Sequence, residues 1–157
     1  MPRKIAILLC MLALCGLSCT EFSCLDLVRS ASGDATYLDR TAQAKLHLRI
    51  EEWNENGTFP TGYDDLDTTG YLKEWRFKYS RLYIMFDGNK AHPVTSRSVL
   101  EAIAIEWYEL YPENRKPRFT LVVRAFKDTE SSNTEWGFCK ILKDGRAEIH
   151  WYATDVY

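Results

Sequence analysis

Three short runs near the C-terminus constrain the fold more than any other feature of the 157-residue chain. Residues 119–126 are rich in β-branched side chains, and the runs 136–142 and 146–152 follow them. The last two runs are joined by a turn that contains Asp144-Gly145, which is a strong hairpin signal between such segments. Strands paired locally through short links predict an antiparallel sheet.

Two earlier runs, 75–79 and 82–86, extend the strand pattern, with a tight turn at residues 80–81. Apolar residues at helical spacing predict a helix from a cap at Asp34 to about Asn56, where Gly57 suits the helix end. Ser98 and Glu101 match a capping box and predict a second helix. The order is α-β-β-α-β-β-β, which predicts an α+β fold: an antiparallel sheet of about five strands packed against two helices.

Residues 1–18 have the features of a secretory signal peptide: a basic start, an apolar stretch and small residues just before Cys19. The apolar stretch is shorter than the about 20 residues of a transmembrane helix. An uncleaved N-terminal anchor is the alternative. After cleavage, residues 19–33 would form a tether and residues 34–157 a single folded domain.

Leu17, Ser18 and Cys19 resemble the end of a bacterial lipoprotein signal, in which the new N-terminal cysteine is lipidated. The resemblance implies export across the inner membrane and residence in the cell envelope, at the periplasm or the outer membrane. It also implies a membrane partner, because diacyl lipid on Cys19 would anchor the chain stably. Without lipidation, the same leader predicts plain secretion.

The cysteine positions leave one candidate disulfide. Five cysteines are present, of which Cys10 and Cys15 lie in the leader. If Cys19 carries lipid, Cys24 and Cys139 remain as a pair in an oxidising compartment. A bridge between them would close a long loop, worth about 4–5 kcal/mol in the chain-entropy model. The alternative is that Cys139 is a buried thiol within a strand.

Charge and motifs argue against several ligand classes. Removing the leader leaves 18 Lys and Arg against 22 Asp and Glu, a net charge of −4, which predicts no nucleic-acid binding. We predict no cofactor and no metal site. Asp65 and Asp67 match the start of a calcium-binding loop, but Arg76 stands where a bidentate carboxylate is required.

Aromatic residues make up 13% of the chain, and most of them are expected in the core. Trp151, Tyr152 and Tyr157 are the candidate binding face near the C-terminus. The three histidines match no catalytic motif, so no catalytic residue is assigned. Glu106 and Glu109 share a helix face, and a secreted hydrolase that uses helix carboxylates is therefore an enzymatic alternative.

Residues 38–73 include Ile50-Glu-Glu-Trp-Asn-Glu-Asn-Gly-Thr-Phe-Pro-Thr61, a helix end followed by Gly, an aromatic residue and Pro. This segment resembles type IV pilin-like and type II secretion pseudopilin proteins, in which a long helix leads into an antiparallel sheet. The resemblance implies a structural subunit of a surface assembly as an alternative function. The leading expectation is a non-catalytic envelope lipoprotein or secreted protein that binds a partner protein or an envelope component.

The lipid anchor predicts a labelling experiment. Bacterial cells that express the full-length chain and grow on radiolabelled palmitate should label the wild type, and Cys19→Ala should abolish the label because it removes the acceptor thiol. Cys24→Ala is the matched control and should stay labelled. An unlabelled wild type, or a Cys19→Ala protein that keeps its label, would contradict lipidation.

Overall fold

A computed structural model describes residues 39–78 and 80–154 of the chain. These residues form two α-helices, one short 3-10 helix and five β-strands. In chain order the elements are α1 (Arg40–Asn56), β1 (Leu72–Lys78), β2 (Arg81–Phe86), α2 (Pro93–Glu109), the 3-10 helix (Glu113–Arg115), β3 (Leu121–Lys127), β4 (Glu135–Ile141) and β5 (Ala147–Trp151).

Several predicted features lie outside the described residues. They are the leader at 1–18, the tether at 19–33, and the residues Cys19, Cys24 and Tyr157. Signal cleavage, lipidation and the disulfide therefore stay predictions. Within residues 39–78 and 80–154, no helix is both long enough and apolar enough to cross a membrane.

The five strands form one mixed sheet in the order β1-β2-β3-β4-β5. Three neighbouring pairs are antiparallel, whereas β2 and β3 run parallel. The α+β class is confirmed, but the prediction of a fully antiparallel sheet is wrong. The reason is that α2 carries the chain from the end of β2 back to the start of β3, and such a crossover leaves two neighbouring strands parallel. The described order also differs from the predicted one by the 3-10 helix before β3.

The first residues of α1 are held by a cap at Asp39 rather than at Asp34, which lies outside the described residues. The Asp39 carboxylate accepts hydrogen bonds from the backbone N–H groups of Thr41 and Ala42 at 2.9 and 3.2 Å. It thereby satisfies donors that have no partner inside the helix. The predicted end is confirmed, because Gly57 adopts the left-handed conformation with φ 66°.

The cap of α2 is His92, six residues before the predicted cap at Ser98. Pro93 occupies the first turn, where its missing N–H costs no helical hydrogen bond. The Nδ1 atom of His92 accepts a hydrogen bond from the Val94 N–H at 3.4 Å. The predicted capping box is therefore wrong, because Ser98 and Glu101 lie inside the helix, where the backbone N–H groups already have helical partners.

The core lies between the two helices and one face of the sheet. All five tryptophans pack in or against it, as expected for most of the aromatic residues. Trp107 of α2 is fully buried and meets Phe77 of β1 edge to face, with ring centroids 5.4 Å apart. The largest side chains with no exposed surface include Leu46, Ile50, Leu82, Ile84, Phe86, Leu100, Ile103, Val99, Val123 and Trp107.

Two leucines of α1 provide a matched test of this packing. Leu46 is 0% exposed, whereas Leu48 on the same helix is 64% exposed. Leu46→Ala should lower the free energy of unfolding by about 2–5 kcal/mol, because it leaves a cavity in the core. Leu48→Ala should change it by less than about 0.5 kcal/mol. Urea denaturation followed by circular dichroism measures both, and equal effects would contradict the orientation of α1.

Candidate functional site

A groove of about 410 Å³ opens between α2 and the end of β5. The first three turns of α2 form one wall, and the end of β5 forms the other. A tyrosine of the loop that joins α1 to β1 also lines the groove. The lining residues are Tyr63, Val94, Arg97, Ser98, Glu101, Trp151 and Ala153.

Arg97 and Glu101 give the groove two opposite charges. They lie four residues apart on α2, so their side chains are neighbours on one face of the helix. Within the described part of the chain, neither side chain forms an ion pair. On another face of α2, Glu106 pairs with Arg49 of α1 at 3.4 Å. Charged groups without a partner in an aromatic-lined groove can recognise opposite charges on a ligand.

The Trp151 ring owes its place in the groove to Gly137 of β4. Gly137 has φ 154°, and a Cβ built there would lie 2.8 Å from Cε3 of Trp151 and collide with the His150 carbonyl oxygen. The missing side chain lets the indole cross the neighbouring strand. There it meets Trp136 edge to face, with ring centroids 6.2 Å apart. The position of the Trp151 ring therefore depends on the absence of a side chain at Gly137 and on packing against the core.

The predicted binding face is divided by the geometry of the strand. Side chains of successive residues in a strand point to opposite faces of the sheet. Trp151 lies on the helix side and lines the groove, whereas Tyr152 lies next to Phe138 on the other side, at 6.1 Å between ring centroids. Tyr152 is 57% exposed. Trp151 and Tyr152 therefore do not share one surface, and Tyr157 lies outside the described residues.

The face of the sheet away from the helices is covered at one end and open at the other. At the β2–β3 end, Tyr83, Met85 and Phe126 are buried. Beside them Arg124 forms a bidentate ion pair with Glu135, donating from Nε to Oε1 at 3.0 Å and from Nη2 to Oε2 at 2.7 Å. At the β4–β5 end, Phe138 stacks on exposed His150, with ring centroids 4.6 Å apart.

The residues named in the hydrolase alternative do not meet in the groove. Glu106 pairs with Arg49, and Glu109 lies 3.6 Å from the Lys116 ammonium on the exposed end of α2. Among the histidines, His47 accepts a hydrogen bond from Trp75 Nε1 at 2.8 Å. Among the described residues, no group of three or more His, Cys, Asp or Glu is arranged to hold a metal ion.

Cys139 lies on the helix side of β4 and is 0% exposed. Within residues 39–78 and 80–154 its thiol forms no disulfide. Burial raises the pKa of the Cys139 thiol to about 12, and the negative charge of Glu101 adds to the effect. A thiol in this environment stays protonated and unreactive near neutral pH.

Sequence reasoning identified Trp151 but missed the residues opposite it. Arg97 and Glu101 have the four-residue spacing that places two side chains on one helix face. A helix that began at Ser98 would leave Arg97 outside it, so the sequence pattern alone does not place the two side chains on one helix face. Tyr63 has no sequence signal, because only the path of the loop brings it to the groove.

Comparisons of this chain with models of protein families, with curated proteins and with solved structures found no match.

The burial of the Cys139 thiol predicts a difference in its alkylation between native and unfolded protein. In native protein at neutral pH, iodoacetamide should leave the Cys139 peptide unmodified, because the thiol is buried and protonated. In urea without a reductant, the same peptide should be alkylated, as mass spectrometry of the digest would show. Alkylation in urea only after reduction would instead demonstrate a disulfide, such as the predicted Cys24–Cys139 bridge.

Proposed function

We propose that the chain is a non-catalytic protein of the bacterial cell envelope that binds a partner protein or envelope component through the groove between α2 and β5. It is exported by the leader at residues 1–18 and held at the membrane by lipid on Cys19. The leader supports export, and the end of the leader at Cys19 supports the anchor.

The observation that carries the binding role is that an arginine, a glutamate and two aromatic side chains line one groove. Arg97 and Glu101 have no ion-pair partner in residues 39–78 and 80–154, and Trp151 lies across from them. Desolvating such charges is costly unless a ligand supplies their counter-charges. A ligand with matching charges therefore gains affinity and orientation at this site.

The contacts of the other ionisable groups favour binding over hydrolysis. Glu106 is engaged with Arg49, and His92 is the cap of α2. His150 stacks on Phe138 on the opposite face of the sheet. A general acid or base must lie within hydrogen-bond reach of the reacting group. These groups are held at other places in the fold.

Site-specific photocrosslinking in the expressing cells tests this proposal. A benzoylphenylalanine residue at Tyr63, which is 51% exposed and lines the groove, should form a covalent adduct with a partner on irradiation. The same residue at Leu48, which is exposed but lies on α1, is the control and should form none. No adduct from Tyr63, or equal adducts from both positions, would contradict a binding role for the groove.

A second pair of variants ties the adduct to the charge of Arg97. Arg97→Glu should reduce the adduct by about tenfold, equivalent to about 1.4 kcal/mol, because it replaces attraction by repulsion. Arg118→Glu makes the same change at an exposed arginine that does not line the groove, and it should leave the adduct unchanged. An undiminished adduct with Arg97→Glu would exclude Arg97 from recognition.

A further inference from the structure

The strand beside the groove has backbone groups that point outward. β5 is the last strand of the sheet, and its one strand neighbour among the described residues is β4. The Tyr152 N–H donates to the Trp136 carbonyl at 2.8 Å, and the Leu142 N–H donates to the Arg146 carbonyl at 2.9 Å. The backbone N–H and C=O groups of the even-numbered residues of this strand therefore point toward β4.

Hydrogen-bonding direction alternates along an antiparallel strand. The register pairs His150 with Phe138 and Glu148 with Lys140, which continues the series of residues that bond to β4. The backbone N–H and C=O groups of Ala147, Ile149 and Trp151 consequently point outward from the edge of the sheet, on the side of β5 opposite β4. These groups can pair with one more strand.

The two edges of the sheet differ in how well they could accept such a strand. β1 is irregular, because its pairing with β2 shifts between Leu72 and Glu74. β5 pairs with β4 residue for residue and has no bulge or proline. Bulges protect edges from further pairing, whereas a regular edge accepts an added strand.

The charges of the groove match the spacing of a strand. Four residues of helix rise by about 6 Å, so Arg97 and Glu101 are separated by about this distance along α2. Two residues of an extended strand span about 6.6 Å. A strand with an acidic and a basic side chain two residues apart can therefore address Arg97 and Glu101 together.

We propose that the ligand of the groove is an extended segment of a partner protein that adds to the outer edge of β5 as a sixth strand. Its backbone pairs with Ala147, Ile149 and Trp151. Acidic and basic side chains two residues apart face Arg97 and Glu101, as in other cases where peptides extend a sheet. This inference rests on the proposed function and specifies the chemical class of the partner.

Residue-resolved amide hydrogen exchange on the purified full-length protein tests the inference. The probe is an acetylated peptide of sequence Thr-Val-Thr-Val-Asp-Val-Lys-Val-Thr at up to about 1 mM, which detects weak binding. It should slow exchange of the Ile149 and Trp151 amides by at least about tenfold. The Tyr152 amide, which already bonds to Trp136, is the internal control and should not change.

Backbone variants of the peptide and of β5 separate strand pairing from other modes. A peptide with N-methyl groups on alternate residues keeps its side chains but loses its donors, and it should give no protection. Ala147→Pro removes one outward N–H at a position where an edge strand tolerates proline, and it should weaken protection at Ile149 and Trp151 severalfold, because one hydrogen bond contributes about 1 kcal/mol. Ala147→Gly keeps the N–H and should retain protection.

The outcomes distinguish this inference from the proposed function. Strand addition is overturned if the unmodified peptide gives no protection, if the N-methylated peptide protects equally, or if Ala147→Pro leaves protection as strong as Ala147→Gly does. Protection that grows with protein concentration in the absence of peptide would identify a second copy of the chain as the occupant and would also overturn it. In each case the proposed function stands if Tyr63 still yields its adduct and Leu48 yields none, and it fails if the Tyr63 adduct is missing or the two positions give equal adducts.

Discussion

The packing of α2 against β3, β4 and β5 is the interaction on which the rest of the structure depends. The face of α2 toward the sheet is fully buried at Val99, Leu100, Ile103 and Trp107. Because α2 also links β2 to β3, burying this face sets the direction of β3 and makes the pair parallel. The other flank of the same helix carries Arg97 and Glu101, so the contact that organises the sheet also builds the wall of the groove.

The two faces of the sheet are packed in different ways. The helix side buries apolar side chains and requires close packing, which explains the small Gly137 beneath Trp151. The other side has no described helix over it and is closed at one end by Arg124 and Glu135, whose ion pair lies over an aromatic cluster. Since successive side chains of a strand point to opposite faces, aromatic residues that are neighbours in sequence lie on different surfaces of the sheet.

Much of the fold followed from local patterns. The hairpin at Gly145 was predicted from Asp-Gly, and the structure confirms it with φ 81° at the glycine. The end of α1 at Gly57 and the existence of all five strands were also predictable, because alternation and left-handed caps are local properties. The parallel pairing of β2 and β3 was not predictable, since the sequence of a strand does not specify the direction of the strand beside it. The start of α2 was misplaced because a plausible capping box at Ser98 lies inside the helix, while His92 and Pro93 form the real beginning.

The sequence by itself determined the helices, the strands and the mild negative charge, and it led to the expectation of an exported, lipid-anchored chain. The reason is that periodicity, turn chemistry and leader composition are local properties of contiguous residues. Only the tertiary structure decided which side chains meet. It placed Tyr63, Arg97 and Trp151 around one groove, separated Trp151 from Tyr152, and left the outer edge of β5 without a strand among the described residues. These relations join residues far apart in the chain, and they depend on the crossover of α2, whose direction no local pattern specifies.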